Sequence, residues 1–311
     1  MTTTLRPMTT GELLDRSFSL YRNNFLLFAG IALLPPVLNL MLTAVRTSLF
    51  QKPAMGVVNG TVQLAPASYG PLALVLILVY LFGAVLSSGA TVHAVSTVYL
   101  GKRAGIGESY RAIQSAFWRL IGLFLLIFLI FVGFAIGIVV VIALLAGAFA
   151  VATHSQGAGV IFLLITILPA TVLFIHLFAC MSLSTPACVV EKTGATDSLR
   201  RSFRLSKGAR GKIWLIMLLF FTLIVVLSLS VAIPSQMILA RSGPVWIANV
   251  TASVLQFLVS TLIGPVLTVS LVLAYYDQRV RKEAFDLQHM MESIGAAPAE
   301  PLHFTAPPPI G

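Results

Sequence analysis

Residues 120–152 read LIGLFLLIFLIFVGFAIGIVVVIALLAGAFAVA, without a charged side chain or a proline. About 20 apolar residues rising 1.5 Å each cross the hydrocarbon of a bilayer, so this run spans with length to spare. Outward from it lie five more uncharged regions, at roughly 25–45, 71–99, 158–190, 213–240 and 245–276, none of which holds an Asp or Glu. In lipid every backbone N–H and C=O must find its partner within the protein, which makes each of these a helix. Composition agrees: 58% of the 311 residues are hydrophobic and 10% charged, with mean hydropathy +0.97. Soluble domains carry about 25% charged residues. The first 24 residues include Glu12 and Asp15, and the run that follows is too long for a cleaved signal segment. The reading is an all-α, polytopic membrane protein with six spans, one domain over 1–290, and an Ala/Pro-rich tail over 291–311 that is expected to be disordered.

The cations orient it. Arg6, Arg16 and Arg22 precede the first span; Lys102, Arg103, Arg111 and Arg119 fill the second loop; Lys192, Arg200, Arg201, Arg204, Lys207, Arg210 and Lys212 fill the fourth; Arg279, Arg281 and Lys282 follow the last span. Only Arg46, Lys52 and Arg241 lie on the other side. Cytoplasmic loops carry the Lys/Arg excess, so both termini are expected in the cytoplasm of a bacterial cell, with the chain in the plasma (inner) membrane. The opposite connections, 46–70 and two of about five residues, leave no room for an external domain.

A phrase recurs in this frame. LDRSFSL at 14–20 and LRRSFRL at 199–205 each precede a span pair, and GESYRAIQSAFWRL at 107–120 is a more diverged third instance. Leu14, Phe18, Tyr21 and Phe25, then Tyr110, Ile113, Phe117 and Ile121, then Leu199 and Phe203 follow helical spacing, which predicts an apolar stripe with arginines beside it. Thr9-x-x-Glu12 has the spacing of a capping box. Glu12, Glu108 and Asp197 come ahead of the arginines, as the helix dipole favours. Three units result, about 9–100, 105–190 and 195–285, each a short interfacial helix followed by a transmembrane hairpin. Helices of this kind lie in the headgroup plane. Two readings stand: an orientation signal and anchor, or recognition of an anionic phospholipid through Arg16, Arg111, Arg200, Arg201, Arg204, Lys207, Arg210 and Lys212. Nucleic acid is not an expected partner despite a pI of about 10.1, because the basic residues are spread along a membrane surface.

Two stretches carry a family resemblance. RPMTTGELLDRSFSLYRNNF (6–25) and LVLAYYDQRVRKEAFDL (271–287) resemble the opening and closing signatures of the bacterial glycerophosphoryl diester phosphodiesterase membrane-domain family. That resemblance implies the membrane region alone. The catalytic domain fused to it in some members would need a soluble barrel of about 250 residues, and no stretch here can supply one. No catalytic or cofactor-binding residue is carried over.

Other chemistry within the spans is thin. His93 and His176 lie in different spans with no carboxylate beside them, which is a poor start for a metal site, so no metal or cofactor is expected. Ser87, Ser88 and Gly89 in LSSGATVH faintly resemble an intramembrane serine nucleophile. Cys180 and Cys188, about 12 Å apart along one helix, are too distant for a disulfide. Pro35-Pro36, Pro169, Pro186, Pro234 and Gly264-Pro265 offer break points such as transporters use, although the spans hold no charged group for ion coupling. Gly133-x-x-x-Gly137 and Ala143-x-x-x-Gly147 permit close helix packing. The functional expectation is a non-catalytic membrane protein that organises lipid or partner proteins; the alternative is a transporter for a lipid or weakly charged solute. The orientation has a direct check. A cysteine placed at residue 60 should react with an impermeant thiol reagent added outside intact cells and stay unlabelled by reagent confined to the cytoplasm.

Overall fold

The structure, a computed structural model, describes residues 7–49, 55–58, 61–64, 71–153, 156–240 and 245–283. Helix α1 (Thr10–Asn23) precedes α2 (Phe25–Ala32) and α3 (Leu34–Leu49), and strands β1 (Met55–Val58) and β2 (Thr61–Leu64) lead to α4 (Pro71–Tyr99). Helix α5 (Ile106–Gln114) precedes α6 (Phe117–Ala152), α7 (Gln156–Met181) and α8 (Ser184–Val190). Helix α9 (Ala195–Ser206) precedes α10 (Arg210–Ala240) and α11 (Val245–Glu283). Six segments are long and apolar enough to cross a membrane: Phe25–Ala44, Ile77–Tyr99, Phe117–Phe149, Ile165–Val190, Arg210–Pro234 and Val250–Glu283. The tail over 291–311 lies outside the described residues.

The all-α class holds, with one short hairpin added to it. Strands β1 and β2 pair antiparallel, with Met55 opposite Leu64 and Val58 opposite Thr61. The sequence signal was there to read: Asn-Gly at 59–60 between short β-branched runs is the strongest local hairpin cue.

Burial is lopsided along the spans. In α4 the half towards Tyr99 is packed (Ala90, Val92, Ala94, Val95), while Ile77, Leu78 and Val79 at the other end are all exposed. Successive helical residues point about 100° apart, so three exposed neighbours mean that no face there is fully covered. The same holds for Val139, Val140 and Val141 of α6 and for Val172, Leu173 and Phe174 of α7. The core instead gathers Phe28, Ile31, Leu120, Leu123, Leu183, Ile213, Phe220, Leu273 and Tyr276 at the end that carries α1, α5 and α9. Close approach there uses Gly89, where a β-carbon would come within 2.7 Å of the Leu120 side chain. The glycines of the α6 motifs are not used this way: Gly133, Gly137 and Gly147 face open space.

Two spans are broken, and proline is the cause in the first. Pro35 has no N–H to give the carbonyl of Ile31, four residues earlier. That carbonyl accepts from Ser87 Oγ at 3.0 Å and from Tyr110 Oη at 2.7 Å instead. Burial raises the Tyr110 pKa, with the nearby Ser87 hydroxyl opposing, so the phenol remains a donor. Ser87 thus makes a structural bond between the first two spans. The second break separates α7 from α8, just ahead of Pro186, and puts Cys180 and Cys188 on different helices. Ser202 of α9 bridges it, donating to the Cys180 carbonyl at 2.7 Å and accepting from Leu183 N at 3.2 Å. Ser182 and Ser184 take the carbonyls of Ala179 and Met181. Pro169, Pro234 and Pro265 sit inside continuous helices.

The expected apolar stripe packs inward in part: Ile113 is buried and Leu14, Tyr21, Tyr110 and Ile121 lie against the core. Helix α1 buries Leu13 and Ser17, and α9 buries Ser198, Ser202, Leu205 and Ser206, whereas Phe18 and Phe203 are exposed. Small serines let these helices sit flat on the bundle, and apolar rings need no protein cover where lipid surrounds them. The capping box is as expected: Glu12 N donates to Thr9 Oγ1 at 3.3 Å and Thr9 N to Glu12 Oε2 at 2.8 Å. Replacing Ser202 with Ala strands the Cys180 carbonyl and the Leu183 N–H. It should cost about 1–3 kcal/mol for each group left unpaired, measured by denaturant unfolding in detergent. Ser230→Ala, on the exposed surface of α10, should stay within about 0.5 kcal/mol of the parent protein.

Candidate functional site

Two clusters of charge occupy the end of the bundle where α1, α9 and the close of α11 meet. The first is built on Asp277, whose side chain is 0% exposed. It accepts from Met8 N at 2.7 Å, Lys212 Nζ at 2.8 Å, Arg281 Nε at 3.1 Å and Gln278 Nε2 at 3.1 Å. Lys212 and Arg281 also donate to the carbonyl of Met8, at 2.6 and 2.7 Å. One carboxylate thereby joins the approach to α1, the head of α10 and the end of α11.

The second cluster centres on Arg201. Its guanidinium pairs with Glu191 at the end of α8, Nη2 to Oε1 at 2.8 Å, and with Glu283 at the end of α11. Arg279 bonds Glu283 at 3.3 Å, and Tyr275 donates to Glu191 at 2.5 Å. Burial alone would lower the Arg201 pKa, but the hydrogen bonds it donates to Glu283 and Glu191 outweigh it and hold the guanidinium charged. Beside it Lys282 donates to the carbonyls of Arg204, Leu205 and Lys207, closing the C-terminal end of α9 with the cation its dipole favours.

The eight cations expected to meet anionic lipid therefore divide. Arg201 and Lys212 are turned inward and neutralised. Arg16 stacks over the ring of Tyr99 at 5.0 Å and reaches Met8 Sδ at 4.0 Å. Arg210 is half-buried, with its Nε lacking a hydrogen-bond partner among the described residues. Arg111, Arg200, Arg204 and Lys207 are exposed, and none has an ion-pair partner among the described residues. Sequence reading passed over Asp277, Glu191, Glu283 and Tyr275. The spacings Asp277/Arg281 and Arg279/Glu283, each four apart, were a local hint; the partners on α8, α9 and α10 had no local signal.

The histidines stay apart. His176 Nε2 lies 3.7 Å from Cys180 Sγ, and its ring packs 6.2 Å from that of Trp214. His93 is half-buried, and its Nδ1 finds no partner among the described residues. Among those residues no three His, Cys, Asp or Glu side chains group as a metal site would need. Cys180 and Cys188 are free and buried.

The first cluster gives a sharp contrast in stability. Asp277→Ala leaves the Lys212 charge buried without its partner and should cost about 3–5 kcal/mol. Arg200→Gln should change stability by no more than about 0.5 kcal/mol; parallel denaturant titrations read both. No curated protein and no solved structure matches the chain. The family model described as Domain of unknown function (DUF8558) matches residues 45–303. That span takes in α4 to α11, the second of the two breaks, and every member of the two charge clusters but Met8. By that match over most of its length, the chain belongs to the DUF8558 family.

Proposed function

We propose that this protein is a non-catalytic, multi-pass protein of the bacterial plasma membrane that organises anionic lipid, or partners bound there, through its basic interfacial helices. In this reading both termini are cytoplasmic, and the three helix-plus-hairpin units are diverged repeats of one element. The observation that carries it is the division of charge on α9. Arg201 is consumed by Glu191 and Glu283, while Arg200, Arg204 and Lys207 stay exposed with Phe203 beside them. Cations needed only for folding would be expected to find acids. These three sit where an anionic leaflet attracts them by about 1 kcal/mol each, and the phenylalanine ring anchors the helix below them. The resemblance to the glycerophosphoryl diester phosphodiesterase membrane domain is consistent with a membrane region that works without a catalytic barrel, and the proposal takes no site residue from it.

A second reading, movement of a lipid or weakly charged solute, is favoured by the two broken spans and by the loosely covered ends of α4, α6 and α7. One preparation separates the two. Purified protein should retain phosphatidylglycerol or cardiolipin by native mass spectrometry, and Arg200→Gln/Arg204→Gln/Lys207→Gln should shed most of it, increasingly at high salt. Equal anionic lipid in both proteins would end the headgroup reading. Leaflet exchange of a labelled phospholipid above that of protein-free vesicles would replace organisation with transport.

A further inference from the structure

The break in the first span does more than bend a helix. Between α2 and α3 the chain turns at Leu33, and α5 is drawn against the turn by the bond from Tyr110 to the Ile31 carbonyl. Ile106, one helical turn before Tyr110, packs so close to Gly30 that a β-carbon there would lie 2.5 Å from its Cδ1. A glycine at 30 and a turn at 33 remove side-chain bulk and helix regularity from the same patch of surface. What remains is an open groove of about 440 Å³ lined by Gly30, Leu33, Leu34, Val37 and Tyr110. The Tyr110 hydroxyl is already spent on Ile31, so the walls offer only apolar surface.

The groove has a direction. Its lining runs from Gly30 to Val37, seven residues or about 10 Å at helical rise, within the depth of one hydrocarbon leaflet. Two exposed cations flank it in the chain: Arg111, next to the lining Tyr110 on α5, and Arg22 in the last turn of α1, next to Tyr21, whose ring stacks on that of Phe28. No ion-pair partner for either is found among the described residues. Positive charge beside an uncharged trough that fits within one leaflet is complementary to an anionic head that carries an apolar chain.

We propose that this groove seats one acyl chain of an anionic glycerophospholipid, with Arg111 and Arg22 holding its phosphate. The inference rests on the anionic-lipid reading above but concerns a different face, remote in sequence from α9. The turn made by Pro35 shapes the trough, Tyr110 fixes α5 at its rim, and the two arginines select the charge. Because Leu33 and Val37 point outward, a bulky residue can fill the trough without entering the core.

The full-length protein in phosphatidylcholine bilayers doped with phosphatidylglycerol carrying an acyl-chain diazirine provides the test. After irradiation, adducts mapped by peptide mass spectrometry should concentrate on residues 26–37. Val37→Trp should abolish that concentration, and Arg22→Gln/Arg111→Gln should lower phosphatidylglycerol labelling there by about fivefold per cation, while a phosphatidylcholine probe changes little. Adducts spread evenly over exposed surfaces such as Val139–Val141, or labelling of 26–37 unmoved by Val37→Trp, would overturn the site. The wild-type map decides even if a variant fails to fold. Scattered adducts combined with anionic lipid lost from the α9 triple variant would sink only the groove. Concentrated adducts with α9 lipid unchanged would sink only the α9 reading.

Discussion

A carboxylate with no exposed side-chain surface, Asp277, collects hydrogen bonds from Met8, Lys212, Arg281 and Gln278, and the arrangement of the basic end of the bundle follows from it. An unpaired charge at that depth costs several kcal/mol, so the approach to α1, the head of α10 and the end of α11 must converge there together. The Arg201 cluster repeats the device between α8, α9 and α11. Between them the two clusters tie five elements, the approach to α1, α8, α9, the head of α10 and the end of α11, at one end of the spans, and the buried core lies directly beneath. Among the described residues the opposite ends have no comparable tie, and there α4, α6 and α7 expose runs of successive apolar residues.

The same demand for pairing governs the backbone. Where Pro35 removes a donor and where the chain breaks before Pro186, hydroxyls of Ser87, Tyr110 and Ser202 supply what the helix cannot. In each case one of the bonds comes from an interfacial helix, α5 or α9. These helices therefore do two jobs at once: they sit at the surface, and they hold a broken span in shape.

Their two-sidedness also resolves the role of the arginines. Arg200 and Arg201 are neighbours in sequence and about 100° apart on the helix, and that rotation separates an exposed cation from one held in ion pairs. On α9 a serine stripe faces in and Phe203 faces out, whereas on α5 Tyr110 turns inward to the Ile31 carbonyl.

The sequence by itself determined six helices long and apolar enough to span a membrane, the short helices α1, α5 and α9 and the capping box at Thr9, because each rests on runs of like residues or on contacts three or four residues apart. It held the β-hairpin cue at Asn59-Gly60 as well. Only the tertiary structure decided which proline sites broke their spans, which serines were bonds, and which cations were free. Those outcomes depend on pairings such as Met8 with Asp277 or Ser202 with Cys180, between residues brought together by the packing of separate helices. A charge or hydroxyl carries no local mark of whether its partner will be lipid, water or a group 269 residues away; in a low-dielectric setting, the geometry of packing alone settles it.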